Sequence, residues 1–175
     1  MENQVGHFPR GQSATQIPDA ALGIRKVMTD VDWGSTEQIK PRLSGADVHL
    51  RLVQNSSGGA LLPGESVKWK AAGFLTVAGG KTGSLESCCG IVDEYIAAAG
   101  VPNLSYFWLV TEGPAKVIND GVGALAEGDI LVTSATAGNV LKQTAAPTQG
   151  NELAQVNAVV GYALAAIAGV AGTKG

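Results

Sequence analysis

The stretch "AEGDILVTSATAGNVLK", residues 126–142, decides how this chain is read. "DILVTS" is rich in β-branched and aliphatic residues, "ATAG" is small and ends on glycine, and "NVLK" returns. Two short β-rich runs joined by a short loop containing glycine make a hairpin. Asp129 stands between Gly128 and the strand. A catalytic acid needs partners, and none lies near it in sequence. Its local use is to accept a backbone N–H and so fix the turn that launches the strand.

The same frame occurs earlier. "PGESVKW", residues 63–69, mirrors "EGDILVT", residues 127–133, with Glu65 in the place of Asp129. Two similar hairpins in one β-domain account for this echo; a duplication is the alternative. Gly64, Glu65, Gly128, Asp129, Gly138 and Gly161 are therefore expected to frame turns and strands, not to form a reactive site.

Further strands lie around these frames. In "ADVHLRLVQN" (46–55), Val48, Leu50 and Leu52 point one way, and His49, Arg51 and Val53 the other. That period of two means a half-buried strand. "SVKWKA", "GFLTVAGG", "SYFWLV" and "NAVVGYAL" are further strand candidates, and glycines between apolar runs mark the turns. The segment "ESCCGIVDEYIAAAGVP" (86–102) predicts a short helix: Ile91, Tyr95 and Ile96 recur at helical spacing, and Gly-Val-Pro closes it. Residues 1–45 show no clean period and carry isolated apolar anchors, Phe8, Ile17, Leu22, Ile24, Val27 and Trp33. The expectation is a mainly β chain: a small sandwich- or barrel-like domain over 46–175 with one short helix, preceded by an extended N-terminal arm over 1–45. The arm's anchors, Phe8, Ile17, Leu22, Ile24 and Trp33, are the candidates for docking on another surface.

Composition narrows the function. Hydrophobic residues make up 45% of the 175, so the chain can bury a core. Charged residues are only 15%, which suits a surface packed against neighbours. Net charge is −3, and the densest basic stretches are "IRK" (24–26) and "VKWK" (67–70), so no nucleic-acid footprint is expected. The N-terminus does not read as a signal peptide. The apolar run "AVVGYALAAIAGVAG" is short and glycine-rich for a membrane helix, so no membrane partner is expected either.

Reactive motifs fail on their own requirements. "GGKTGS" (79–84) has Leu75 where a phosphate loop needs its first glycine, and no helix opens at Lys81; it reads as a glycine-rich turn with an exposed lysine. Cys88 and Cys89 are adjacent and lack the spaced partners of a zinc site, so they read as small buried thiols. His7 and His49 lack nucleophile context, Asp93 and Glu94 diverge on consecutive positions, and Asp30 and Asp32 stand without further acids. Tyr106, Phe107 and Trp108 read first as core, with a subunit interface as the alternative. No catalytic residue, metal or cofactor is expected.

"VTEGPAKVINDGVGALAEGDILVTSATAGNVLK" followed by "NAVVGYALAA" resembles the head decoration, or capsid cement, proteins of tailed bacteriophages. The resemblance rests on Gly128-Asp129-Ile130-Leu131, Gly138-Asn139-Val140 and Val159-Val160-Gly161-Tyr162-Ala163-Leu164, and covers roughly residues 110–168. Residues 46–109 are additional to the familiar form or diverged from it, and the ending "AGVAGTKG" lacks its final charged apolar strand. The resemblance implies a virion protein on the outer capsid surface that clamps neighbouring major capsid subunits, commonly as a homotrimer. Another particle component, such as a head fibre base or a tail-associated protein, is the second reading. A ligand-binding β-domain is the third.

Overall fold

The computed structural model describes residues 11, 13–15, 22–29, 31–32, 40–41, 46–72, 77–143, 152–164 and 166. Its strands are β1 (Ser13–Ala14), β2 (Arg25–Thr29), β3 (Val31–Asp32), β4 (Lys40–Pro41), β5 (Asp47–Asn55), β6 (Ser66–Trp69), β7 (Val77–Lys81), β8 (Gly90–Val92), β9 (Tyr106–Glu112), β10 (Ile130–Thr133), β11 (Val140–Lys142) and β12 (Val159–Tyr162). One helix, α1 (Glu152–Asn157), lies between β11 and β12. The protein is mainly β.

Five strands close into a barrel in the order β5-β7-β6-β8-β9 and back to β5. Only the β5–β7 seam is parallel, and it is short. The first half of that β5 edge is taken by β2, with Arg25 opposite Arg51 and Thr29 opposite Asp47. β1 adds Ser13 and Ala14 to β9 opposite Phe107 and Tyr106. Parts of the expected arm thus lie in strands on the barrel; β3 and β4 pair with each other.

Alternation on β5 and β9 sorts two apolar layers. Val53, Phe107 and Leu109 face inward with Val67, Ala78 and Val92, and Leu61, Ile96 and Val101 plug one end. Val48, Leu50, Leu52, Trp108 and Val110 form a second layer on the outer face. The C-terminal half of β5 is therefore buried on both sides, where its period predicts a half-buried strand. Phe107 and Trp108 are core.

The helix expected over 86–102 does not form. Gly90, Ile91 and Val92 are all buried as strand β8, which suits a β-branched run in a sheet with both faces covered. A side chain at Gly90 would meet the Val110 carbonyl oxygen and lie 2.8 Å from Leu109 Cγ, so only glycine lets β8 approach β9. Asp93 then turns the chain, its Oδ1 accepting the Tyr95 N–H at 3.3 Å.

A second, three-stranded sheet, β11-β10-β12, repeats the barrel's β7-β6-β8 strand for strand. In both, a tight turn precedes the central strand. Gly64 N–H donates to Val92 O at 2.8 Å and Val92 N–H to Glu65 O at 2.9 Å; Gly128 and Asp129 make the same pair with Ala163 at 2.8 and 2.9 Å. Asn55 pairs in parallel with Ala78, and Asn119 with Val140. The sequence carries this beyond the echo noted above. "VQNSSGGALLPGE" (53–65) and "VINDGVGALAEGD" (117–129) share Val, Asn, Gly-Ala-Leu and the turn Gly at a constant offset of 64 residues, from Asn55 to Asn119. The geometry and the aligned residues together favour the duplication. The concave side of the second unit (Val117, Leu125, Leu131, Val140 and Ala163) is closed by Ile91 from the barrel's outer face. Gly138 locks the two units together, accepting the Ser66 N–H at 2.8 Å and donating to Thr82 O at 2.9 Å.

Candidate functional site

Opposite the plugged end, the barrel opens into a mouth of about 170 Å3 lined by Arg25, His49, Arg51, Trp69, Cys89, Thr111 and Glu112. β5 aims His49 and Arg51 inward by its alternation, β6 brings Trp69, and β2 sets Arg25 directly across from Arg51. The Arg51 guanidinium lies 5.7 Å from the Trp69 ring centre, a cation–π contact. Its Nε is buried and has no hydrogen-bond partner. At the rim, His49 Nδ1 is 3.9 Å from Glu112 Oε2, and both side chains are largely in solvent. Thr111 Oγ1 donates to His49 O at 3.2 Å.

Cys89, at the floor of the mouth, and its neighbour Cys88 are free thiols. Burial pushes Cys88 up to about 11 and Cys89 further. Both stay protonated at neutral pH, so the mouth holds no thiolate. Among the described residues no group of three His, Cys, Asp or Glu side chains could hold a metal ion. No helix of the described residues is long and apolar enough to cross a membrane.

A different surface lies on the second sheet. Ile130 and Tyr162 are cross-strand partners, and both face outward. Tyr162 is 65% exposed and Leu164 69%; Val159, in the same strand as Tyr162, and Val156 in α1 are exposed too. The equivalent positions in the barrel, Ser66 and Ile91, are buried. They are covered because the second unit packs on them; the matching face of the second unit has no such cover among the described residues.

The sequence-derived candidates fall as follows. Phe8, Ile17 and Trp33 lie outside the described residues, as does Asp30. Leu22 is half-buried in the turn before β2, and Ile24 is exposed, its carbonyl accepting the Leu52 N–H at 3.0 Å. Gly64, Gly128 and Gly138 hold φ of +86°, +84° and +83°, the left-handed region glycine tolerates. Glu65 and Asp129 each bind their own turn: Leu62 N–H donates to Glu65 Oε2 and Ala126 N–H to Asp129 Oδ2, both at 2.7 Å. Gly161 stands opposite Leu131 in β12. Lys81 is not the free, exposed lysine its glycine-rich setting predicts: its Nζ is 2.6 Å from Glu65 Oε1, because β7 places it beside the acid's turn.

Sequence reasoning missed the mouth. "IRK" and "VKWK" read as basic stretches, yet they deliver Arg25 and Trp69 to it. The available signal was the second face of "DVHLRLVQN", which passes from His49 and Arg51 to Val53 and so runs from an open end to a core.

Comparison with protein-family models, with curated proteins and with solved structures finds no match.

Proposed function

We propose that this protein is a structural component of a tailed-phage particle, bound to the outer surface of the capsid and clamping neighbouring major capsid subunits. The observation that carries this reading is the exposure of Ile130, Val159, Tyr162 and Leu164, with no cover among the described residues. An exposed apolar cross-strand pair, Ile130 with Tyr162, suits a protein-binding site, and an exposed tyrosine suits an interface. These residues belong to the segment that resembles the capsid cement proteins. Ile24, just before β2, and Val27 within it add exposed apolar side chains from the region expected to reach over a neighbour. The function needs no chemistry: burial contributes about 25 cal/mol per Å2 of apolar area, less the cost of association, and many copies per shell multiply a modest affinity.

The test is to mix the purified protein with expanded empty capsids and image them. Ordered density at three-fold or quasi-three-fold positions is expected, in sets of three copies. Tyr162→Lys with Leu164→Lys is expected to abolish that density while leaving the thermal midpoint of the free protein unchanged. Density confined to a tail or fibre attachment point selects the second particle role. Capsids bare of ordered density, or density indifferent to the double substitution, would sink the proposal.

A further inference from the structure

The barrel mouth contains two arginines that no acid among the described residues pairs with. Arg25 and Arg51 are direct cross-strand partners, and like charges in that relation destabilise a sheet. No ion pair joins either of them to an acid among the described residues; the one carboxylate in the lining, Glu112, lies beside His49 instead. Arg51 is half-buried. Its guanidinium is held over Trp69, and its buried Nε has no acceptor. Buried donors are nearly always satisfied, and Arg51 lines the cavity, so an anion there can take the guanidinium's free N–H groups. At about 170 Å3 the cavity is too small for a cofactor and large enough for a functional group of a few heavy atoms.

We propose that the mouth is a binding site for a single carboxylate, gripped by Arg51 and offsetting the repulsion between Arg25 and Arg51. A guanidinium offers parallel N–H donors that match the two oxygens of a carboxylate. With one face on the indole, Arg51 is pre-oriented and loses little freedom on binding. Glu112 at the rim favours a monoanion over a dianion, which selects carboxylate over phosphate. The carboxylate belongs either to a small free acid or to an acidic side chain of a bound protein. The site is independent of the apolar face on the second sheet.

Titration of the full chain with acetate at low ionic strength, followed by 1H–15N NMR of the Arg51 Nε–H and Trp69 indole N–H signals, tests this. Both signals are expected to shift saturably at millimolar acetate, with phosphate binding more weakly. Arg51→Gln is expected to weaken acetate at least about tenfold, the worth of a charge-assisted bond. Arg25→Gln, at an exposed strand position, is expected to weaken it by about two- to fivefold and provides the test if the Arg51 variant does not fold. A capped pentapeptide with one Asp among glycines separates the two sources. Binding well above acetate assigns the carboxylate to a protein partner, and binding at or below acetate assigns it to a small acid. The site is overturned by the absence of a saturable shift with both acetate and peptide, by phosphate binding tighter than acetate, or by shifts that survive both arginine substitutions.

Discussion

Glu65 and Asp129 occupy the same place in two copies of one turn. Each accepts the N–H three residues before it at 2.7 Å on one oxygen and a lysine on the other: Lys81 at 2.6 Å, Lys142 at 2.8 Å. Each lysine pairs across the sheet from the residue two beyond its acid, Val67 and Leu131. The burial differs: Glu65 is 4% exposed because Gly138 packs over its side chain, whereas Asp129 is open to solvent on one side. Glu65→Ala takes the acceptor from a part-buried N–H and removes a buried partner of Lys81, and should cost about 2 kcal/mol. Asp129→Ala should cost distinctly less, because water can replace the lost contacts. Urea unfolding of the two variants checks the order; equal losses would refute the asymmetry.

Gly90 and Gly161 are the corresponding residues of β8 and β12, opposite Val67 and Leu131. A Cβ at Gly90 meets Val110 backbone and Leu109 side chain, because β9 closes the barrel there. A Cβ at Gly161 meets nothing within 4 Å. Gly90→Ala should therefore destabilise by about 2–4 kcal/mol, through a clash with backbone that cannot move aside. Gly161→Ala should leave the thermal midpoint unchanged or slightly higher, since it restricts the unfolded chain.

Acid should weaken the fold through Glu86 and Asp129. Lys68 Nζ grips both Glu86 oxygens at 2.7 and 2.8 Å, and the Gly83 N–H adds a third bond at 2.6 Å. Lys68 first, then Gly83, hold the Glu86 carboxyl below its ordinary 4.5. Lys142, then Ala126, hold Asp129 below 3.8. Both groups bind protons more weakly folded than unfolded, so their contribution is complete above those ordinary values and is lost as pH falls through the lower folded ones. The thermal midpoint should fall as pH drops below about 4.5, and Lys68→Met should flatten part of that slope. A midpoint independent of pH down to 2.5 would contradict this.

The β character, the strands and the hairpin of residues 130–142 were legible in the sequence because period two and glycine turns are local signals. The helix assignment over 86–102 failed because Ile91 and Ile96 serve separate cores, one on the outer face of β8 and one plugging the barrel; their spacing on the chain imitates a helical stripe. The closed barrel was not legible, since it depends on β9 returning to β5 across more than 50 residues. Half of the repeat was visible. Its Gly-acid turns announce themselves, while the alignment of Asn55 with Asn119 gains its meaning from what the two side chains bind. Asn55 Nδ2 bonds the carbonyls of Gly59, Val101 and Pro102, and Asn119 Nδ2 bonds Gly123 O. The mouth escaped because its arginines come from strands that neighbour only in space.

The adjacent thiols should be nearly inert in the folded protein. Cys88 donates to Gly90 O at 3.3 Å and packs against the second unit's core, and Cys89 packs against the barrel interior. Desolvation is the main cause that lifts both, Cys88 from 9.0 to about 11 and Cys89 beyond it, where the neighbouring Cys88 adds to the effect. A rise from 9.0 to about 11 lowers the thiolate fraction near pH 8 about 100-fold, and the thiolate is the reacting species. Disulfide-exchange reagents at pH 8 should therefore react at least about 100-fold more slowly than with the urea-unfolded chain. The same shifts set an alkaline limit. The unfolded thiols ionise near pH 9 while the folded ones keep their protons, so their contribution is present below pH 9 and declines as pH rises toward 11. Replacing both cysteines by alanine should shallow the loss of stability between pH 9 and 11, whatever the lysines add to it. Rapid labelling of the folded protein, or an alkaline profile unchanged by the double substitution, would place the thiols in water rather than in the core.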